Sequence, residues 1–380
     1  MSPLAPSSSS ATANRLYGVD LARAVALIGM LMVHFGPKGG TDLLGRLYAL
    51  PHGRASVLFV LVAGIGVAFL SRRVDSRADA RLRLFCFALV LLPLGLMLEA
   101  LRHPVAVILH HYAGYFLFAI AVIGLPTRWL LRLAVLASLA GPLLFFAGRL
   151  ALPAVFNRHS VQLGDTPLEV LWALLFTGPY PLVVWAAPLL WGLWIGRQDL
   201  HAPRLRRQLM LVGAAVAIAA VFASELLFAG FGEPRTPADW RFAFADTAHS
   251  QMPLWLLGAI GSAALVVGLA LTAAARWPDL ARRGAVLGQM ALSIYVLHIL
   301  VLWAAPTLVR HDDPSLALLS VFGFALLAWL LATAWRQWQP RGPLEQLMHG
   351  FATGVATLGQ GPEGPAGHRP GNERPATPAA

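Results

Sequence analysis

Residues 52–70 read HGRASVLFVLVAGIGVAFL, and a histidine and an arginine stand directly before a long run without any charged side chain. In an α-helix, such a run approaches the length needed to cross a hydrocarbon core of roughly 30 Å. The stretch therefore predicts a membrane-spanning helix over residues 55–70. Its N-terminal end carries His52 and Arg54, two side chains that are costly to place at membrane depth.

Runs of the same kind recur along the whole chain. The sequence is 57% hydrophobic and 12% charged, about half the charged share of a soluble domain. We therefore predict an all-α fold, a polytopic membrane helix bundle of residues 15–349, between disordered tails at 1–14 and 350–380. About 10 transmembrane helices are expected, at residues 19–36, 55–70, 82–101, 104–125, 128–150, 169–197, 205–228, 253–275, 286–305 and 315–335.

The sixth of these runs is too long for one simple span. It is interrupted at Thr177-Gly178-Pro179-Tyr180-Pro181, and proline and glycine at membrane depth need protein or water around them. A short helix, a kink and then a span are expected there, so that the number of spans ranges from nine to eleven.

The basic residues indicate how the bundle is oriented. If the N-terminus is cytoplasmic and the spans alternate, the inner segments hold most of the 29 arginine and lysine residues. This bias predicts that both termini are cytoplasmic. It also accounts for the net charge of +11 without nucleic acid as a partner, and leaves the lipid bilayer as the expected one.

The 12 histidines divide in the opposite sense. His201, His349 and His368 fall on the inner side, and the outer side or outer half holds His34, His52, His103, His110, His111, His159, His249, His298 and His311. This distribution indicates that chemistry or proton handling lies toward the outer face. The alternative is that histidine is simply acceptable at a membrane interface.

His52, His34 and Arg54 are the candidate catalytic residues. His34 ends the first span and His52 precedes the second, so antiparallel crossing of the two spans is expected to bring the two histidines close together. Histidine can exchange a proton near neutral pH. In the alternative, His52 is solvated at the interface and Arg54 extends its guanidinium to the surface.

Asp20 and Arg23 lie one helical turn apart near the cytoplasmic end of the first span. They form either an ion pair that neutralises both charges or a contact for an anionic cofactor. His298 and Tyr295 are expected to form a buried polar pair on the ninth span. No metal is expected, because His110 and His111 lack the spacing or the carboxylate partner of a metal site.

Several patches together resemble a known family. They are Arg15–Ala24 before the first span, His52-Gly53-Arg54, Leu175–Pro181, Gly288–Tyr295, and Arg341-Gly342-Pro343-Leu344-Glu345 after the last span. In order and spacing the chain is similar to the heparan-α-glucosaminide N-acetyltransferase catalytic-domain family. It is closer still to the uncharacterised bacterial multi-pass proteins related to that family, which implies a location in the bacterial cytoplasmic membrane.

The resemblance implies a transmembrane acyltransferase that moves an acyl group from cytoplasmic acetyl-CoA or another acyl-CoA to a glycan or lipid-linked acceptor outside the cytoplasm. It implies that His52 is the catalytic histidine, and it matches Asp20 and Arg23 to the family's Asp-x-x-Arg turn, where they would help to position CoA. Arg54 would stabilise a developing oxyanion.

Two other functions fit the same composition. A multi-pass transporter of a small metabolite or lipid fits the polar residues and the broken sixth span, although no internal repeat is visible. A membrane scaffold or partner subunit is the third alternative. The sequence leaves open whether copies of the chain associate as a homo-oligomer.

Overall fold

The computed structural model describes residues 16–40, 42–74, 76–101, 103–156, 160–162, 164–236 and 238–358. The predicted tail at 1–14, His159 and His368 lie outside these residues. The described part of the chain is helical and contains no strand. Its helices are α1 (Tyr17–Phe35), α2 (Leu43–Ala49), α3 (Arg54–Arg73), α4 (Arg77–Glu99), α5 (Leu109–Val122), α6 (Thr127–Ala151), α7 (Pro167–Trp172), α8 (Leu182–Gly196), α9 (Pro203–Phe231), α10 (Pro253–Arg276), α11 (Pro278–Gln289), α12 (Ala291–Ala304), α13 (Pro306–Val309), α14 (Pro314–Trp335) and α15 (Pro343–Leu358).

The predicted polytopic bundle is confirmed. Among the described residues, 7 helices are long and apolar enough to cross a membrane, and up to 9 if each bent pair counts as one span, at the lower end of the expected nine to eleven. The remaining predicted span, residues 104–125, contains α5, whose 14 residues reach about 21 Å at 1.5 Å per residue. The chain after α5 nevertheless ends beside Arg197, whose guanidinium donates to the carbonyls of Ile123 and Leu125 at the basic end of α8.

Two of the spans are bent pairs. A π-helix at Ala173–Thr177 follows α7, and the segment Pro167–Thr177 meets α8 at 62°, as the Gly-Pro-Tyr-Pro interruption predicts. Helices α11 and α12 meet at 57°, where the sequence predicted a single uninterrupted span. The second break contains no proline, so its cause must lie in the packing around it.

The last helix corrects one boundary. A disordered tail was predicted from residue 350, but α15 continues to Leu358. It packs against α4 and α12, and contact with these helices allows a Gly-containing segment to remain helical.

Close helix packing holds the centre of the bundle together. Helix α3 packs along α8, and a Cβ atom added at Gly64 would collide with the carbonyl oxygen of Leu189. The reciprocal contact is made by Gly192, where a Cβ atom would collide with the carbonyl oxygen of Leu61. Gly64 therefore allows the close approach of α3 and α8, whereas no atom lies within 4 Å of an added Cβ at Gly66.

Candidate functional site

A histidine pair joins the C-terminal end of α1 to α12. Nδ1 of His34 lies 2.9 Å from Nε2 of His298, and the two rings are stacked with centroids 5.1 Å apart. His298 is fully buried, and its other ring nitrogen, Nδ1, has no well-formed hydrogen bond.

The direction of this hydrogen bond depends on the tautomer. With the proton on Nδ1 of His298, its Nε2 accepts and His34 donates from Nδ1. Nε2 of His34 then keeps a lone pair, so that the pair holds one basic nitrogen at His34, oriented by His298.

Tyr295 lies one turn before His298 on the same helix. The two rings make an edge-to-face contact with centroids 4.9 Å apart, and both residues are buried, as the sequence predicts. The Tyr295 hydroxyl accepts a hydrogen bond of 3.2 Å from the backbone N–H of Ile108. Tyr295 therefore ties α12 to the start of α5 next to the histidine pair.

His52 lies in the turn between α2 and α3. Gly53 adopts a φ of 71° there, a conformation that favours glycine, and it packs against Trp255. Both ring nitrogens of His52 are buried without a well-formed hydrogen bond. The direct partner of His34 is His298, and a close approach of His34 to His52 stays a prediction.

Arg54 takes a different direction from the two histidines. Its guanidinium donates a weak hydrogen bond of 3.4 Å to the backbone carbonyl of Leu50 in the preceding turn. This contact is exposed, which agrees with an arginine that extends to the membrane surface. A role for Arg54 in stabilising an oxyanion stays a prediction.

Further imidazoles and aromatic rings lie in the bundle. The ring of His249 lies 5.6 Å from that of Tyr180. The His110 and His111 rings are buried with centroids 4.4 Å apart, and none of their nitrogens has a hydrogen bond. Buried polar atoms of this kind are costly in a membrane unless they meet water or a polar ligand.

Asp20 and Arg23 lie at the opposite end of α1. They form the predicted ion pair, with 3.0 Å between Arg23 Nη1 and Asp20 Oδ1. Arg23 also donates to the backbone carbonyl of Gly288 at 3.2 Å, and Gln289 donates to Asp20 at 3.1 Å. Fourteen residues separate Asp20 from His34, so the two sites are about 21 Å apart along the helix. A contact with CoA stays a prediction.

In the part of the chain that the structure describes, no group of three or more histidine, cysteine, aspartate or glutamate residues is arranged to hold a metal ion. The candidate site residues instead lie in two separate groups. The His34–His298 pair lies at one end of α1, and the Asp20–Arg23 pair lies at the other. Fold and site together define a multi-pass helical membrane protein with ionisable groups inside its bundle.

Comparison with known proteins adds one family match. Residues 194–354 match the model of a family described as a protein of unknown function, DUF418. No curated protein matches the chain. The matched segment contains α9 to α14 and most of α15, and so includes His249, Tyr295 and His298 but neither His34 nor His52. The histidine pair thus joins a residue inside the matched segment to one outside it.

Proposed function

We propose that the chain is a membrane-embedded acyltransferase of the bacterial cytoplasmic membrane. It would move an acyl group from cytoplasmic acyl-CoA to a glycan or lipid-linked acceptor on the outer side. The observation that supports the proposal is the His34–His298 contact of 2.9 Å, because with the proton on Nδ1 of His298 it leaves a basic nitrogen on His34, whose orientation is fixed by the second ring. A base oriented by a third group is the usual arrangement for activating a nucleophile.

The transfer step balances without a further reactant. His34 Nε2 takes the proton of the acceptor hydroxyl or amine as its oxygen or nitrogen attacks the thioester carbonyl. The new ester or amide bond forms, the carbon–sulfur bond breaks, and the CoA thiolate takes the proton back from His34. His298 accepts the His34 Nδ1–H throughout and so stabilises the imidazolium.

The two ends of α1 fit the two substrates. Arg23 carries a positive charge at the end predicted to face the cytoplasm, where the anionic nucleotide part of CoA would bind. His34 lies at the end predicted to face outward, about 21 Å away. The pantetheine arm is the part of acyl-CoA that would cover this distance through the bundle.

The test is acyl transfer by the full chain in nanodiscs, followed as free thiol released from acetyl-CoA with and without a cell-envelope extract. His34→Ala is expected to lower the acceptor-dependent rate by about 100-fold or more, and His298→Ala by less because the base remains. His201→Ala is the matched control, since His201 is exposed and predicted to lie on the inner side. Absence of thiol release by the folded wild-type protein with acetyl-, butyryl- and palmitoyl-CoA would contradict the proposal.

A transporter is the second candidate, and a specific observation favours it. Two spans are bent by 62° and 57° at short breaks, and broken helices line the substrate sites of many transporters. The two functions differ in whether acyl-CoA is consumed. A transporter moves solute into proteoliposomes without consuming acyl-CoA, whereas a transferase releases one thiol for each acyl group transferred.

A further inference from the structure

The break between α11 and α12 leaves backbone groups that need partners from elsewhere. The first N–H groups of a helix have no carbonyl partner within it, and the residue at the N-cap position of α12 is Met290, which has no suitable acceptor. Glu345 supplies one from α15. Its Oε1 accepts from the N–H of Leu292 at 2.8 Å and of Ser293 at 3.2 Å.

A second set of contacts fixes the orientation of the Glu345 carboxylate. Its Oε2 accepts from the Ser293 hydroxyl at 2.5 Å, and the N–H of Leu344 donates to that same hydroxyl at 3.1 Å. Gly342 lies so close that an added Cβ atom would collide with Glu345 Oε2. These contacts account for Gly342 and Glu345 in the patch Arg341-Gly342-Pro343-Leu344-Glu345.

The other side of the break has the complementary charge. Arg23 donates to the carbonyl of Gly288, in the last turn of α11, and an added Cβ at Gly288 would collide with the carbonyl oxygen of Asp20. A cation therefore lies at the C-terminal end of α11 and an anion at the N-terminal end of α12. Both match the helix dipoles, so the two halves are each stabilised in the bent arrangement.

We infer that Glu345 is a positioning residue for the histidine pair, an inference that rests on the proposed function. Tyr295 lies two residues after Ser293, and His298 lies five residues after it, on the same helix. By holding the first turn of α12, Glu345 sets where this helix begins and therefore where His298 meets His34. Helix α15 thus controls the geometry of a site in the middle of α12.

The test compares Glu345 with an acidic residue that caps a different helix. Asp313 accepts from the N–H groups of Ser315 and Leu316, both at 2.9 Å, at the start of α14. Glu345→Ala is expected to lower kcat for acyl transfer by about tenfold or more with KM unchanged, because His298 shifts relative to His34. Asp313→Ala is expected to lower the thermal midpoint similarly and to leave kcat unchanged.

Hydrogen exchange of the full chain in nanodiscs gives a readout that does not depend on activity. Glu345→Ala is expected to speed amide exchange of α12 as far as His298, and Asp313→Ala to do so only in α14. Glu345→Gln is expected to keep most of the protection, since its amide oxygen can accept from both N–H groups. If Glu345→Ala does not fold, Ser293→Ala, which removes the 2.5 Å contact, is expected to show the smaller change in the same direction.

The outcomes separate the two proposals. Faster exchange confined to Leu292 and Ser293, with kcat unchanged, would show that Glu345 is only a cap and would overturn the inference. Absence of any transfer by the wild-type protein would reject the proposed function. In that case exchange at Tyr295 and His298 would still decide whether Glu345 positions this part of α12.

Discussion

Nδ1 of His34 and Nε2 of His298 lie 2.9 Å apart, although 264 positions separate the two residues in the sequence. This hydrogen bond joins the first helix of the bundle to the second half of a broken helix late in the chain. His298 is fully buried and His34 is partly exposed, so the pair connects the interior of the bundle with its surface.

The pair is expected to be energetically coupled. A buried hydrogen bond contributes about 1 kcal/mol net, and removal of one ring leaves the other unsatisfied. His34→Ala and His298→Ala should therefore each destabilise the protein, and the double variant should lose about 1 kcal/mol less than the sum of the two. Denaturant unfolding of the wild type and the three variants in the same detergent measures the three losses of unfolding free energy. Strict additivity would contradict the hydrogen bond.

The contact between α3 and α8 predicts different effects for two glycines of the same helix. Gly64→Ala should destabilise the protein by about 1–3 kcal/mol, because the new methyl group meets the backbone of α8 and the helices must move apart. Gly66→Ala is the matched control, since no atom lies within 4 Å of its added Cβ. Thermal midpoints in the same detergent test this. Equal midpoints for the two variants would exclude close packing at Gly64.

The orientation predicted from the basic residues is testable at the two ends of α9. Glu233 and His201 are both exposed and flank this helix on opposite sides. With the single cysteine replaced, as Cys86→Ala, Glu233→Cys should react with a membrane-impermeant maleimide on intact cells. His201→Cys should react only after permeabilisation. The reverse pattern would place the histidine pair on the cytoplasmic side.

The sequence predicts the bundle because apolar runs and loop charges are local properties. It also predicts the break at residues 177–181, where glycine and prolines interrupt the helix. The break at Met290 escapes such reasoning, because no proline stands there and Gly288 alone does not end a helix. It is held by Arg23 and Glu345, which lie far away in the sequence.

The residues of the candidate site also show how far prediction from the sequence reaches. Sequence reasoning placed His34, His52 and His298 on one side of the bundle, and the structure pairs His34 with His298. It ranked His52 first and did not pair His34 with His298, since contacts between distant spans depend on how helices pack. It also included Arg54, whose side chain turns to the Leu50 carbonyl because a helix-terminal guanidinium can reach a nearby backbone acceptor.

The last helix is expected to be sensitive to pH through His349. The ring of His349 contacts Phe87 of α4 edge-on, with centroids 5.5 Å apart. Burial lowers the pKa of His349, and the nearby charges of Arg341 and Arg83 lower it further. The folded protein therefore favours the neutral ring, whereas the unfolded chain binds a proton near pH 6.5.

The sign of the effect follows from this difference. The unfolded state binds more protons as pH falls below about 6.5, so the stability contributed by neutral His349 is present above that pH and is lost toward the lower pKa of the folded state. The thermal midpoint should fall between pH 7.5 and pH 5.5, and fall less in His349→Gln, which keeps the shape of the side chain without its charge. His201→Gln serves as the control, because an exposed histidine should leave the wild-type pH dependence intact. An equal fall in wild type and His349→Gln would assign the pH dependence to other groups.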